Sequence, residues 1–256
     1  RITLTEALGD SRYTAAAAAI APLAANADKK LAKVALYALA KIAAPASAPV
    51  LAAAAAKSGY TYDVTDATAS YLTYAANLED KNAAAKIAED LLKQARADGQ
   101  VHTRTAALKL LTAIRGEKSM PLLLAAANDK NREYRDAALK FAGQYGLAGN
   151  AAWLKKLSGA DNADKAAVID MLGDNKVAAA LPALQKLLGS RSADVKSAAV
   201  KAVGATGGAA ALPALLQTMK TGDAATISDV KAALLIMPGN EVAAQSGAAL
   251  AAMPAP

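Results

Sequence analysis

The sequence predicts an all-α fold, a right-handed α-α superhelix of about seven helical pairs, and three observations carry that expectation. One is a returning phrase: AALKLL at Ala106, AALKFA at Ala137, AAVIDM at Ala166, AAVKAV at Ala198 and AALLIM at Ala232. Its intervals, about 31, 29, 32 and 34 residues, belong to a stacked helical array in which each unit contacts mainly its neighbours. Proline supplies a second ruler. Pro49, Pro121, Pro182 and Pro213 each open an apolar run, at spacings of about 72, 61 and 31 residues, or two, two and one repeats. Proline suits the first turn of a helix, where its missing N–H would have no partner anyway. Third, hydrophobic residues make up 54% of the chain and aromatic ones only 4%, with alanine alone near 28%. Alanine is the strongest helix former and the smallest side chain that still buries apolar surface, so the helices should approach closely.

Each unit reads as helix, short turn, helix. Second helices are expected near 29–43, 62–77, 101–114, 132–145, 162–172, 193–204 and 226–237, each burying a stripe at offsets 0, 3, 4, 7 and 8. Near the sixth turn the stripe is Val195, Ala198, Ala199, Ala202 and Val203; in the fourth pair it is Tyr134, Ala137, Ala138, Phe141 and Ala142. The alanine pairs at 106, 137, 166, 198 and 232 should therefore be buried. Register is loosest in the second pair, where the phrase decays between Ala67 and Tyr74. Asp164, Asp194 and Asp229 stand near the starts of second helices, where a carboxylate suits the positive end of the dipole. Glycines such as Gly116, Gly189 and Gly204 read as C-terminal stops. A last first-type helix near 240–252 has no partner before Pro256. The expected organisation is one repeat domain over 1–256, cut from a longer protein.

Charge and composition bound the function classes. The alanine runs at 15–19 and 52–56 are closed by Asn26, Asp28 and Lys29, and by Lys57, Ser58 and Gly59, so they read as soluble helix. No stretch reaches the roughly 18 uninterrupted apolar residues of a membrane span. The net charge of +7 is spread at repeat spacing with acids between the bases, and no block of like charge marks a nucleic-acid tract. Without cysteine there is no disulfide framework and no thiol chemistry. The chain starts at Arg1 with no signal-peptide pattern, so export to a periplasm is as compatible as a cytoplasmic life.

The unit Asp-Val-Lys-Ser-Ala-Ala-Val-Lys-Ala-Val-Gly at 194–204 and the Leu-Pro-Ala-Leu openings at 181–184 and 212–215 resemble HEAT and HEAT-like repeats, especially the short form named after phycobilisome lyases. The resemblance runs over nearly the whole chain. It implies an α-solenoid that acts as a protein-binding scaffold, as does the interaction module of a larger bacterial protein. It also implies a role for Arg104, Arg135 and Lys196, which share one position early in second helices, with Asp164 breaking the column. In such repeats a base here ties neighbouring units through acidic side chains.

Catalytic and metal chemistry finds little support. His102 is the sole histidine, beside Thr103 and Arg104 at a helix start, and reads as a surface or capping residue. One histidine and no cysteine leave no ordinary zinc site. Asp161, Asp164 and Asp170 are spread over a turn and a helix without the glycine spacing of a calcium loop, and read as caps and solvated charge. Gly204, Gly207 and Gly208 precede a helix, but no Gly-Lys-Ser/Thr follows them, so they read as a turn. Lone Trp153 reads as a seam filler. No cofactor is expected.

Five residues beyond the basic column lies a position occupied by Tyr37, Tyr71, Lys109, Lys140, Ile169, Lys201 and Leu235. It falls about 120° from the buried stripe and so should face outward along the second helices. Tyr60, Tyr62, Tyr71 and Tyr74, half of the chain's eight tyrosines, cluster in one unit. Tyrosine joins large contact area to a polar tip with little entropy loss, which favours interfaces; seams lined by alanine also leave room for rings in the core. Both readings stand for this group, and the candidate partner-binding residues are Tyr37, Tyr71, Tyr74, Lys109, Lys140 and Lys201.

The leading function is a non-catalytic scaffold, monomeric, that holds a protein or extended peptide. The alternative is a HEAT-like DNA-binding protein or DNA glycosylase, which the +7 charge makes worth weighing. Such an enzyme gathers aromatic side chains and a carboxylate around a flipped base in a positive groove. One tryptophan, one phenylalanine and interspersed acids fit that poorly. Nucleic acid is the disfavoured partner.

Overall fold

Residues 1–237 and 240–251 are described by the computed structural model, and among them there is no β-strand. Two sets of residues cluster separately, 1–119 with 131–134 and 120–130 with the chain from Arg135 onward. The first unit contains α1 (Ile2–Asp10), α2 (Ala17–Ile20), α3 (Lys29–Ile42), α4 (Ala48–Lys57), α5 (Ala67–Asn77), α6 (Lys81–Gln94) and α7 (Val101–Arg115). The second contains α8 (Met120–Ala126), most of α9 (Arg132–Gln144), α10 (Ala151–Gly159), α11 (Asn162–Asp174), α12 (Leu181–Leu187), α13 (Ala193–Gly207), α14 (Leu212–Thr221), α15 (Ala224–Ile236) and α16 (Asn240–Ala251). The chain is an all-α solenoid of helical repeats. Seven second helices, α3, α5, α7, α9, α11, α13 and α15, begin within five residues of their expected starts. The last first-type helix is α16; residue 252 of its expected span lies outside the described residues.

Caps set the register. Asn131, Asp161, Ser192 and Asp223 each accept a hydrogen bond from the backbone N–H three residues on, at 3.1, 2.9, 3.5 and 2.8 Å. Each thereby gives a partner to an N–H that the first turn cannot satisfy internally. These caps are 30, 31 and 31 residues apart, a tighter period than the alanine phrase shows.

Counting from the caps corrects the phrase at two helices. Val168, not Ala167, matches Ala138 and Ala199, and Ala166 and Ala167 are only half-buried. In α15 the offset is three residues: Val230 takes the core place and Ala232 is exposed. Of the alanine pairs expected in the core, the one at 198 is fully buried, those at 106, 137 and 232 bury only their second member, and the one at 166 is half-buried. Alanine is small enough to sit at a core position or beside one, so alanine pairs slide where caps do not.

Helices α1 and α3, α11 and α13, and α13 and α15 each meet at a glycine–alanine contact that periodicity alone did not reveal. A Cβ on Gly173 of α11 would stand 2.6 Å from the Ala202 Cβ and 2.7 Å from its Cα on α13. One on Gly204 would stand 2.9 Å from the Ala233 Cβ, and one on Gly9 would stand 2.6 Å from the Ala38 Cα. Gly173 and Gly204 both lie twelve residues after their caps. They sit inside helices rather than ending them, so Gly204 is a seam residue and not the stop expected of it.

One helical run, Ala193–Thr221, is long and apolar enough by length and composition to cross a membrane. The run is broken at Gly208, with φ +49°, where a 3₁₀ turn leads into α14. Val195, Ala199, Val200 and Val203 are buried in α13, which packs against α11, α12 and α15. Packing within the repeats accounts for its apolar character.

Candidate functional site

Nine residues after each cap, an outward position recurs on the second helices. Tyr37, Lys109, Lys140 and Lys201 occupy it and are all exposed. In α11 the position belongs to Asp170, because Ile169 is buried with Leu108, Leu139 and Val200 one place earlier. The Asp170 carboxyl is held above its ordinary range, first by partial burial, with Lys201 pulling it back down and Asp174 adding to the rise. In α15 the position falls to Ala232, while Leu235, 78% exposed, lies further along.

Tyr71 leaves this column, and Tyr74, the other tyrosine candidate of α5, is not at the surface either. Tyr74 is only 2% exposed and lies in the core of the first unit with Leu36, Leu39 and Leu51. Tyr71 is half-buried, packed against that core and stacked on Tyr74 with ring centroids 6.4 Å apart. The exposed positions of α5 are instead Ala69, Thr73 and Ala76. The cause is local: α5 starts 38 residues after α3, so the 31-residue register does not carry through it. Burial raises the hydroxyl pKa of both rings. Tyr37 stays at the surface, and its hydroxyl donates to Asp10 Oδ1 at 2.8 Å, which raises its pKa.

In the basic column Arg135 ties neighbouring repeats through an acidic side chain, as the resemblance implies, while Arg104 reaches the next repeat through an aromatic ring. Arg135 Nε lies 3.2 Å from Asp164 Oδ1, and the Arg104 guanidinium sits 4.0 Å above the Tyr134 ring. In both cases a base four residues after its cap reaches a residue three after the next cap. Lys165 occupies the position four after Asp161, so the column is unbroken and Asp164 is its acceptor. His102 is a surface residue with Nδ1 3.4 Å from Glu133 Oε1. Trp153 is fully buried and donates Nε1–H to the Leu147 carbonyl at 3.1 Å. Among the described residues no group of three or more His, Asp or Glu side chains could hold a metal ion.

A feature the sequence concealed is the nine-residue connection 58–66 between α4 and α5, against two residues at 160–161 and 222–223. Gly59, Tyr60 and Asp66 are left-handed, at φ 65°, 56° and 53°. Tyr62 is 83% exposed, and Val64 is exposed beside it. Thr103 Oγ1 and Gln100 Nε2 donate to the carbonyls of Tyr60 and Gly59, both at 2.7 Å, and Lys33 Nζ lies 2.6 Å from Asp66 Oδ2. Length and tyrosine content were visible signals; the fixed backbone was not.

A sequence-profile match agrees with this architecture. The sequence profile described as HEAT repeats matches residues 88–165 and 150–235, together more than half of the chain. Among solved structures, an engineered protein from a structural-genomics consortium is similar at 17% identity, over 91% of this chain and 73% of its own, with a TM-score of 0.40. A second engineered protein from that consortium is similar at 17% identity, over 89% of this chain and 96% of its own, with a TM-score of 0.29. No curated protein matches. With the profile match, the cap spacing and the basic ties between units, the chain belongs to the HEAT-repeat family.

Proposed function

We propose that the chain is a non-catalytic scaffold that holds a protein or an extended peptide along its second helices. HEAT repeats are a repeat scaffold that often mediates protein interaction, and the observation that carries the reading to this chain is the outward column. Tyr37, Lys109, Lys140 and Lys201 recur at one place nine residues after the cap, where the core does not require them. Within each compact unit, a side chain at a fixed place in successive repeats gives a partner repeated contacts, with no closed pocket needed. Lysine there steers approach of an acidic partner more than it adds affinity.

The test uses a partner captured by the chain and then purified. Lys140→Glu combined with Lys201→Glu should slow its association by about tenfold at low salt, with dissociation changed less. Both side chains are exposed, so the melting temperature should stay put. Stopped-flow association rates that ignore the double reversal would remove the column from the interface.

A further inference from the structure

The 58–66 connection walls a cavity instead of filling it. The hollow has a volume of about 440 Å³ and lies in the first unit between α3, α4 and the segment before Asn26. Its walls are small or apolar, among them Ala24, Ala32, Leu36, Val50 and Ala54. Asp63 and Thr65 line it from the connection, while Tyr62 and Val64 are exposed to solvent. The loop is held in place from both sides, by Thr103 and Gln100 on its carbonyls and by Lys33 on Asp66. Collapse of the loop into the hollow would break those bonds. A volume of this size is in the range that accepts a compact ligand or a large side chain.

Charge selects the occupant. Lys29 and Lys57 line the hollow, and neither forms an ion pair among the described residues. The one carboxylate in the lining is already engaged. Asp63 Oδ1 accepts from the Ala67 N–H at 3.0 Å, and Oδ2 accepts from the Thr65 N–H at 3.1 Å and its hydroxyl at 2.6 Å. The lining therefore offers an apolar interior with two ammonium groups, Lys57 and Lys29, of which Lys29 also lowers the Asp63 pKa through its charge.

We propose that this cavity receives a bulky apolar side chain from an extended acidic segment of the partner, with flanking carboxylates meeting Lys29 and Lys57. The inference rests on the scaffold reading and adds to it a specific anchor point, off the outward column. Exposed Tyr62 and Val64 extend the contact beside it, on a backbone already ordered before binding, which lowers the entropy cost of association.

Fluorescence anisotropy on the full chain tests it, with a labelled Glu-Glu-Phe-Glu-Glu peptide as probe. Peptides with serine in place of phenylalanine, or lysine in place of glutamate, are the comparisons. The phenylalanine peptide should bind saturably and about tenfold more tightly than either. Ala53→Phe places a ring in the lining from an exposed position on α4, and Lys29→Glu with Lys57→Glu reverses the charge; each should weaken binding about tenfold with unchanged circular dichroism. The second variant keeps the test decisive if the first perturbs folding. No saturable binding, equal binding of the serine peptide, or indifference to the charge reversal overturns the site. A captured partner that loses association with Lys140→Glu and Lys201→Glu but ignores the Lys29 and Lys57 reversal overturns this site while leaving the scaffold reading in place.

Discussion

At single residues, the glycine–alanine contacts decide more than their size suggests. Gly173→Ala should gain helix propensity of up to about 1 kcal/mol. It also places a methyl group 2.7 Å from the Ala202 Cα, where backbone must move, and overpacking costs about 1–3 kcal/mol. The clash should win, and chemical denaturation should show net destabilisation. Gly247→Ala in α16 meets nothing within 4 Å and should be neutral or stabilising. A second residue prediction concerns pH. Burial pushes the Asp63 carboxyl up, but bonds from the Thr65 hydroxyl and the Ala67 and Thr65 N–H groups outweigh it and hold the pKa below its usual value. A depressed folded pKa means stability that is present above the unfolded value near 4 and lost as pH falls through the folded one. Asp63→Asn should therefore be less stable at neutral pH and lose less on acidification, read as a flatter melting curve as pH falls below about 5. Neither effect was legible beforehand: the glycines looked like stops and the aspartate like loop charge. The buried fate of Trp153 was legible, because a lone large ring among alanines has few other places to go.

Among the elements, α5 shows where periodic reasoning fails. Its existence and its end at Asn77 were readable from the expected span 62–77, but it starts five residues later, at Ala67, and its register was inherited from neighbours that it does not follow. The long connection before it rotates Tyr71 towards the core, so Tyr71→Ala should lower stability by about 1–3 kcal/mol. Thermal melts of this variant beside Tyr37→Ala distinguish the two sites: an unchanged melting temperature for Tyr71→Ala would return that ring to the surface. For α11 and α15 the phrase misled by one and three residues, although Asp161 and Asp223 were in plain view. A cap fixes register because its oxygen must reach a defined N–H. An alanine fixes little, because the same methyl group fits several depths.

For the whole chain, the family and the all-α class were legible because they depend on a period repeated many times, which local slips do not erase. Partner chemistry depends on a few side chains, and four of the six candidates lie exposed at the outward position while two tyrosines do not. The net charge of +7 invites nucleic acid, and the prediction is that binding stays nonspecific. Any complex with duplex or single-stranded DNA at low salt should weaken steeply as salt rises and vanish near physiological ionic strength. Persistence of a tight complex there, measured by filter binding across a salt series, would overturn the protein-partner reading. The even spacing of caps has a consequence for heredity as well. From Ser192 to Asp223 the chain advances 31 residues, and each end is the same kind of capped start. A misaligned exchange between gene copies at those two points would add or delete one whole unit, with each new junction still a capped helix start and the glycine of the helix before it still facing an alanine ten residues after the next cap. Length can then vary by whole units without inventing a fold, and lineages carrying this gene should differ in repeat number more readily than in repeat size.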